Sequence, residues 1–204
     1  MKLVGMLDSP YVRRLAITMQ MLGIDYEHES RSVVFGYETF KDVNPLARVP
    51  TLVLDDGEMM IESSLIISYL EAMAGRSLIP DDLDNKRRAY QVIGVALSGM
   101  DKIAQRIYET KMRPEESQYG PWLNRLLEQI AESFDWLEGA VAGIGDGPWF
   151  FGDEISQADI STAVAWRFLN FSAPGEARPE SRPALVAFGE KAEALPEFIA
   201  CPLE

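Results

Sequence analysis

Strand signals nearly vanish beyond Pro80, and this one-sided distribution constrains the fold more than any other feature of the chain. Before that point, short apolar or alternating runs at 2–6, 24–29, 51–54 and 58–61 are interleaved with helical patterns. Ser9-Pro10 opens one helix, in which Val12, Leu15, Ala16, Met19 and Leu22 recur at helical spacing and Gly23 stands where a left-handed cap belongs. A second helical pattern covers 65–73 and stops at Gly75, while 33–42 reads as a loop or irregular helix. The order is therefore β-α-β-(α)-β-β-α. A crossover unit joined to a late hairpin implies a mixed sheet with helices against its faces. From about Asn85 helical spacing resumes, with 86–112 and 117–141 long enough for helices and broken at Arg113-Pro114. The expectation is a mixed α/β domain over 1–76, a polar, proline-bearing linker over 77–85 and an all-helical domain over 86–204.

Composition narrows the function classes. With 204 residues, 47% of them hydrophobic, the chain can bury a sizeable core. Its formal net charge of −13 argues against nucleic acid, because neutralising phosphates requires a basic surface, and it disfavours anionic membranes. Cys201 is the single cysteine, so no internal disulfide and no thiol pair for metal or redox chemistry is expected. No apolar run approaches the roughly 18 residues of a spanning helix, and the N-terminus leads into a strand pattern rather than a signal peptide. A cytoplasmic protein without a metal is the expectation. The turn at 143–148 is rich in glycine but lacks the lysine and hydroxyl of a phosphate loop.

The stretch 44–63 carries two recognition corners. Pro50 cannot donate to a sheet ladder and belongs at the first position of the strand or on a sheet edge. A cis Val49-Pro50 bond would turn the main chain of Val49 outward, as an edge for an extended peptide. At the second corner, Glu62-Ser63-Ser64 precedes a helix whose free N–H groups suit a carboxylate. Glu62 can take an ammonium and Ser63 a carboxylate, which fits the head of an amino acid; the competing role is a plain helix cap with a first-turn acid. Further on, Ser156 and Asp159 form a capping box, with Ile155 and Ile160 as its hydrophobic staple.

Taken together, Ser9-Pro10-Tyr11, Asn44-Pro45 to Val49-Pro50, Glu62-Ser63 and the box at 156–160 make the chain resemble the cytosolic glutathione transferases over essentially its whole length. The resemblance implies a thioredoxin-like N-terminal domain with a mixed four-stranded sheet, an all-helical C-terminal domain, glutathione as cosubstrate and a homodimer. By position, Val49 beside cis Pro50 would pair with the cysteinyl part of glutathione, and Glu62 and Ser63 would hold its γ-glutamyl end. Arg48 and Lys41 would serve the glycyl carboxylate. Ser9 matches the serine that donates to the glutathione sulfur in the serine-using classes, and its competing role is an N-cap of the first helix. For a hydrophobic electrophile the candidates are Tyr11, Met100, Ile103, Tyr108 and Trp166, although most of that spacing equally suits a helix core. The implied activity is attack of glutathione thiolate on such an electrophile. Two alternatives stand beside it: a non-catalytic binding or regulatory protein of the same fold, and glutathione-dependent reduction of a disulfide or peroxide.

Overall fold

The computed structural model describes residues 1–203, which divide into two compact units: 1–78 together with 194–203, and 79–193. In the first unit the order is β1 (Lys2–Val4), α1 (Pro10–Leu22), β2 (Glu27–Glu29), α2 (Tyr37–Phe40), β3 (Thr51–Val53), β4 (Met59–Ile61) and α3 (Ser63–Ala74). Its strands align as β2-β1-β3-β4, with β1 and β2 parallel and the other two pairs antiparallel. This is the mixed sheet expected from a crossover followed by a hairpin, and α1 and α3 pack together against it. Leu3, Val4, Leu15, Met19, Leu52, Ile66 and Leu70 fill the core, each fully enclosed. Both predicted glycine stops are realised in the left-handed conformation, Gly23 at φ 67° and Gly75 at φ 63°.

The unit reaches into the stretch expected as linker. Glu71 accepts from the Leu78 N–H at 2.8 Å and the Ser77 hydroxyl at 3.1 Å, and Leu78 is buried. The last segment also belongs here. A short helix, here α9 (Pro196–Ile199), lies against α1, and Arg13 Nε donates to the Cys201 carbonyl at 2.8 Å while its guanidinium sits 5.7 Å from the Phe198 ring centre.

The second unit is helical: α4 (Leu83–Ile107), α5 (Gly120–Ala142), α6 (Gln157–Ser172), α7 (Pro174–Ala177) and α8 (Pro183–Glu193). Asp82 caps α4 by accepting the Asn85 N–H at 2.9 Å. α4 then continues through one π-helical turn, Tyr108–Met112, before the Arg113-Pro114 break. At the start of α6 the predicted box forms around Asp159, which accepts from the Ser156 N–H at 2.8 Å, the Ser156 hydroxyl at 2.5 Å and the Phe150 N–H at 2.9 Å. No helix among the described residues is long and apolar enough to cross a membrane.

Candidate functional site

Strand register brings the sequence-predicted site together. Val4 lies opposite Thr51, and Thr51 opposite Ile61, so the segments following β1, preceding β3 and following β4 leave the sheet at the same end. Those segments carry Ser9, Val49-Pro50 and Glu62-Ser63. Gly5 makes the convergence possible, with φ at 141°. A Cβ there would lie 2.7 Å from Val12 Cγ2 and 3.0 Å from Val49 Cγ1, so a side chain would push the two loops apart.

Val49-Pro50 is cis, as expected at the first corner. Pro50 is buried and Val49 half-buried, and among the described residues the Val49 main chain has no backbone hydrogen bond. The loop before it hangs on Asn44, which is fully buried. Asn44 Nδ2 donates to Thr51 Oγ1 at 2.9 Å and to the Arg48 carbonyl at 3.3 Å, while its Oδ1 accepts the Leu46 N–H at 2.9 Å. Thr51 Oγ1 in turn donates to the Arg48 carbonyl at 2.7 Å.

At the second corner Glu62 is the N-cap of α3 and adopts φ 70° and ψ 105°, a region that a non-glycine residue enters only at a cost of about 1 to 3 kcal/mol. Its carboxylate makes no capping bond and stays exposed, 3.6 Å from the Arg48 guanidinium. Neither following serine caps the helix. Arg14 Nη1 donates to Ser63 Oγ at 3.0 Å and to Ser64 Oγ at 3.1 Å, leaving the first-turn N–H groups of α3 to a ligand or solvent. Arg14 is only 1% exposed, and burial pushes its pKa down to about 10, partly opposed by Tyr11 and Glu62, so the guanidinium remains charged at neutral pH.

Ser9 is the N-cap of α1 by backbone, its carbonyl accepting the Arg13 N–H at 2.9 Å, but its hydroxyl makes no capping bond. The cap role that competes for the Ser9 side chain is therefore not the one adopted. Lys41, the C-cap of α2, is engaged with that helix, 2.5 Å from Glu38 and 5.0 Å from the Tyr37 ring centre. The electrophile candidates separate by exposure. Met100 and Ile103 are fully enclosed on the buried stripe of α4 they share with Val92 and Ala96, and Trp166 is buried, 6.3 Å from the Phe134 ring and close against Gly189. Met100 and Ile103 expose no surface and Trp166 only 6%, so of the two roles the spacing allowed, these three take the core one. Tyr108 is half exposed and Tyr11 half buried.

Arg14, Gly5 and His28 shape the site without having been singled out from sequence, and Asn44, noted there only as part of the motif before Val49-Pro50, proves to be the buried anchor of its loop. His28 Nε2 donates to the Gly5 carbonyl at 2.8 Å and so tethers the loop after β1. The one cysteine takes no part in this corner. Cys201 is buried beneath Tyr26, and burial raises its thiol pKa.

A mixed four-stranded α/β unit with a cis-proline corner is followed along the chain by a helical unit. Residues 3–77 match the family description "Glutathione S-transferase, N-terminal domain", and residues 120–188 match "Glutathione S-transferase, C-terminal domain". The chain is 32% identical over 93% of its length to an Escherichia coli K12 protein described as "Uncharacterized GST-like protein YibF", covering 92% of that protein. It is also 32% identical over 80% of its length to glutathione S-transferase Z1 of Arabidopsis thaliana, covering 74% of it. A crystal structure of a Methylobacterium radiotolerans glutathione S-transferase, in complex with glutathione sulfonate, superposes with a TM-score of 0.90 at 25% identity, covering 100% of this chain and 95% of that one. The chain belongs to the glutathione S-transferase family and has its thioredoxin-like plus all-helical fold.

Proposed function

We propose that this protein is a glutathione transferase that binds glutathione across the two corners and activates its thiolate for attack on a carbon of a hydrophobic electrophile. The observation that carries the proposal is the convergence, at one end of one sheet, of an uncapped Ser9 hydroxyl, the unpaired main chain of Val49 and the open start of α3. The cysteinyl backbone pairs with Val49 beside Pro50, and the γ-glutamyl ammonium takes Glu62. Its carboxylate takes Ser63 and the N–H groups of α3. Arg48 and Lys41 meet the glycyl carboxylate, exchanging exposed ion pairs worth no more than about 1 kcal/mol each. Ser9 donates to the sulfur. Lowering the thiol pKa by about 2 units requires roughly 2.7 kcal/mol, a scale that one hydroxyl and the N-terminus of α1 largely supply. In the transfer step the sulfur lone pair forms the new S–C bond while the electrophile's leaving group departs with its bonding pair.

Calorimetry with glutathione tests binding, and Glu62→Ala should weaken it by more than about tenfold. Absence of heat with the unmodified protein at millimolar glutathione would overturn the proposal. Ser9→Ala should raise the pKa of bound thiol in a thiolate-absorbance titration; an unchanged curve removes Ser9 from catalysis. A screen of electrophiles with glutathione then separates a transferase from a binding protein without turnover.

A homodimer and a cytoplasmic setting complete the proposal. Leu65, Tyr69 and Met73 form an exposed apolar stripe along α3, next to exposed Met59 on β4, the surface a second copy would cover. Light scattering that reports a monomer would exclude it.

A further inference from the structure

Arg14 is a buried cation with no ion pair in contact among the described residues, the exposed Glu62 carboxylate acting on it only through space. Its side chain is 1% exposed, and among the described residues Nη1 reaches the two serine hydroxyls while Nε has no hydrogen-bond partner. A guanidinium held away from water is costly unless anions or well-placed acceptors compensate it, by several kcal/mol. The other large buried arginines of the chain are better served: Arg182 has the Asp135 carboxylate at 2.9 Å and three carbonyls, and Arg13 has the Cys201 carbonyl and the Phe198 ring. Arg14 alone among these three spends its bonds on hydroxyls at the mouth of a helix N-terminus.

A hydroxyl has one proton and two lone pairs, whereas a guanidinium can only donate. Once Arg14 Nη1 occupies a lone pair of Ser63 Oγ, the Ser63 proton points away from Arg14 and is available to a ligand, so the side chain is biased towards acting as a donor. We propose that Arg14 is a positioning residue that fixes Ser63 as a hydrogen-bond donor and sets a permanent positive charge beneath the first turn of α3, so that this corner accepts a carboxylate. The inference rests on the proposed glutathione site and names the component that selects the γ-glutamyl carboxylate. Helix N–H groups and Ser63 alone already favour an anion over a neutral amide modestly; the charge behind them enlarges that preference. Glu62, exposed beside it, adds the opposite preference for the neighbouring ammonium.

The test compares glutathione with 4-aminobutanoyl-cysteinylglycine, which differs only by lacking that carboxylate, in calorimetric titrations of the full chain. Arg14→Met should weaken glutathione binding about tenfold or more, the scale of a lost charge-assisted contact, and change binding of the decarboxylated peptide by less than about twofold. Equal losses for both peptides would make Arg14 a structural support only, and no loss for either would remove it from the site; both results overturn the inference. Should Arg14→Met fail to fold, Arg14→Lys makes the same comparison. Its single ammonium keeps charge but loses the planar fork, and a loss of about threefold confined to glutathione is expected, while equal effects on the two peptides again overturn the inference. If the unmodified protein binds neither peptide, the glutathione site itself is wrong, a result visible before any variant is made.

Discussion

Replacing Asn44 by alanine should loosen the cis-proline corner from behind without touching a ligand. Asn44 is fully buried and makes three side-chain hydrogen bonds, to Thr51 Oγ1, the Arg48 carbonyl and the Leu46 N–H. The consequences differ among the partners. The Arg48 carbonyl keeps the Thr51 hydroxyl at 2.7 Å, and the hydroxyl loses only an acceptance, but the Leu46 N–H loses its side-chain acceptor. At about 1 kcal/mol net for each bond lost, the total is about 2 to 3 kcal/mol. With a urea slope of about 2 kcal/mol per molar, the unfolding midpoint should fall by about 1 M. Thr51→Val, which spares two of the three Asn44 bonds but also removes the hydroxyl's own bond to the Arg48 carbonyl, should cost about 2 kcal/mol, and the two changes should sum to more than the double variant loses because they share a bond. Since the network ends on the carbonyl one residue before Val49, glutathione affinity should fall with stability. An Asn44→Ala protein with an unchanged midpoint and unchanged affinity would refute the assignment of this network to the corner.

Asp159→Ala should destabilise the helical unit by about 3 kcal/mol in thermal unfolding, because the Phe150 and Ser156 N–H groups lose their buried acceptor. Asp159→Asn, which keeps one oxygen, should cost less. Burial holds the Asp159 carboxyl pKa above its ordinary value, so the folded chain takes up this proton first as pH falls. Its contribution therefore improves on acidification and weakens as pH rises through the folded pKa, a trend Asp159→Asn should abolish in melts followed across the acidic range. Cys201 should resist thiol reagents in the native protein and react on unfolding, since burial both encloses it and raises its pKa. Tyr26, pushed up by burial from 10.0 to about 12, contributes stability that is complete below pH 10.0 and is lost as pH rises toward about 12; Tyr26→Phe should flatten melting curves across that window.

Much of the architecture was legible because its signals are local. Pro10 and Gly23 bound α1, Gly75 ends α3, and Ser156 with Asp159 opens α6, each through contacts within a few residues. The corner at 44–63 was legible for the same reason, since a proline before a strand and serines before a helix declare themselves in order. What escaped were contacts made across the sheet. Nothing near Gly5 announces that Val49, more than forty positions away, will approach it, and nothing near His28 shows that its ring will hold the Gly5 carbonyl. Met100, Ile103 and Trp166 went the other way, because an apolar helical stripe has the same spacing whether it lines a cavity or fills a core.

The adjacent pair Arg13-Arg14 shows how far composition can mislead about a site. In an acidic protein two neighbouring arginines near a helix start would ordinarily be solvated charges, disfavoured by the positive end of the dipole. Here both are buried, and successive helical positions, roughly 100° apart, send them to different parts of the same unit. Arg13 anchors the closing segment through Cys201 and Phe198, while Arg14 runs beneath Ser63 and Ser64. Both therefore bear on α1, the helix whose first turn carries Ser9. A change at either should be felt at the other corner through α1, yet only Arg14 should distinguish a ligand with the γ-glutamyl carboxylate from one without it. Arg13→Met is thus the matched control for Arg14→Met: it should lower stability and weaken both peptides alike. A carboxylate-selective loss in Arg13→Met would mean that α1 as a whole, and not the guanidinium under Ser63, sets the preference.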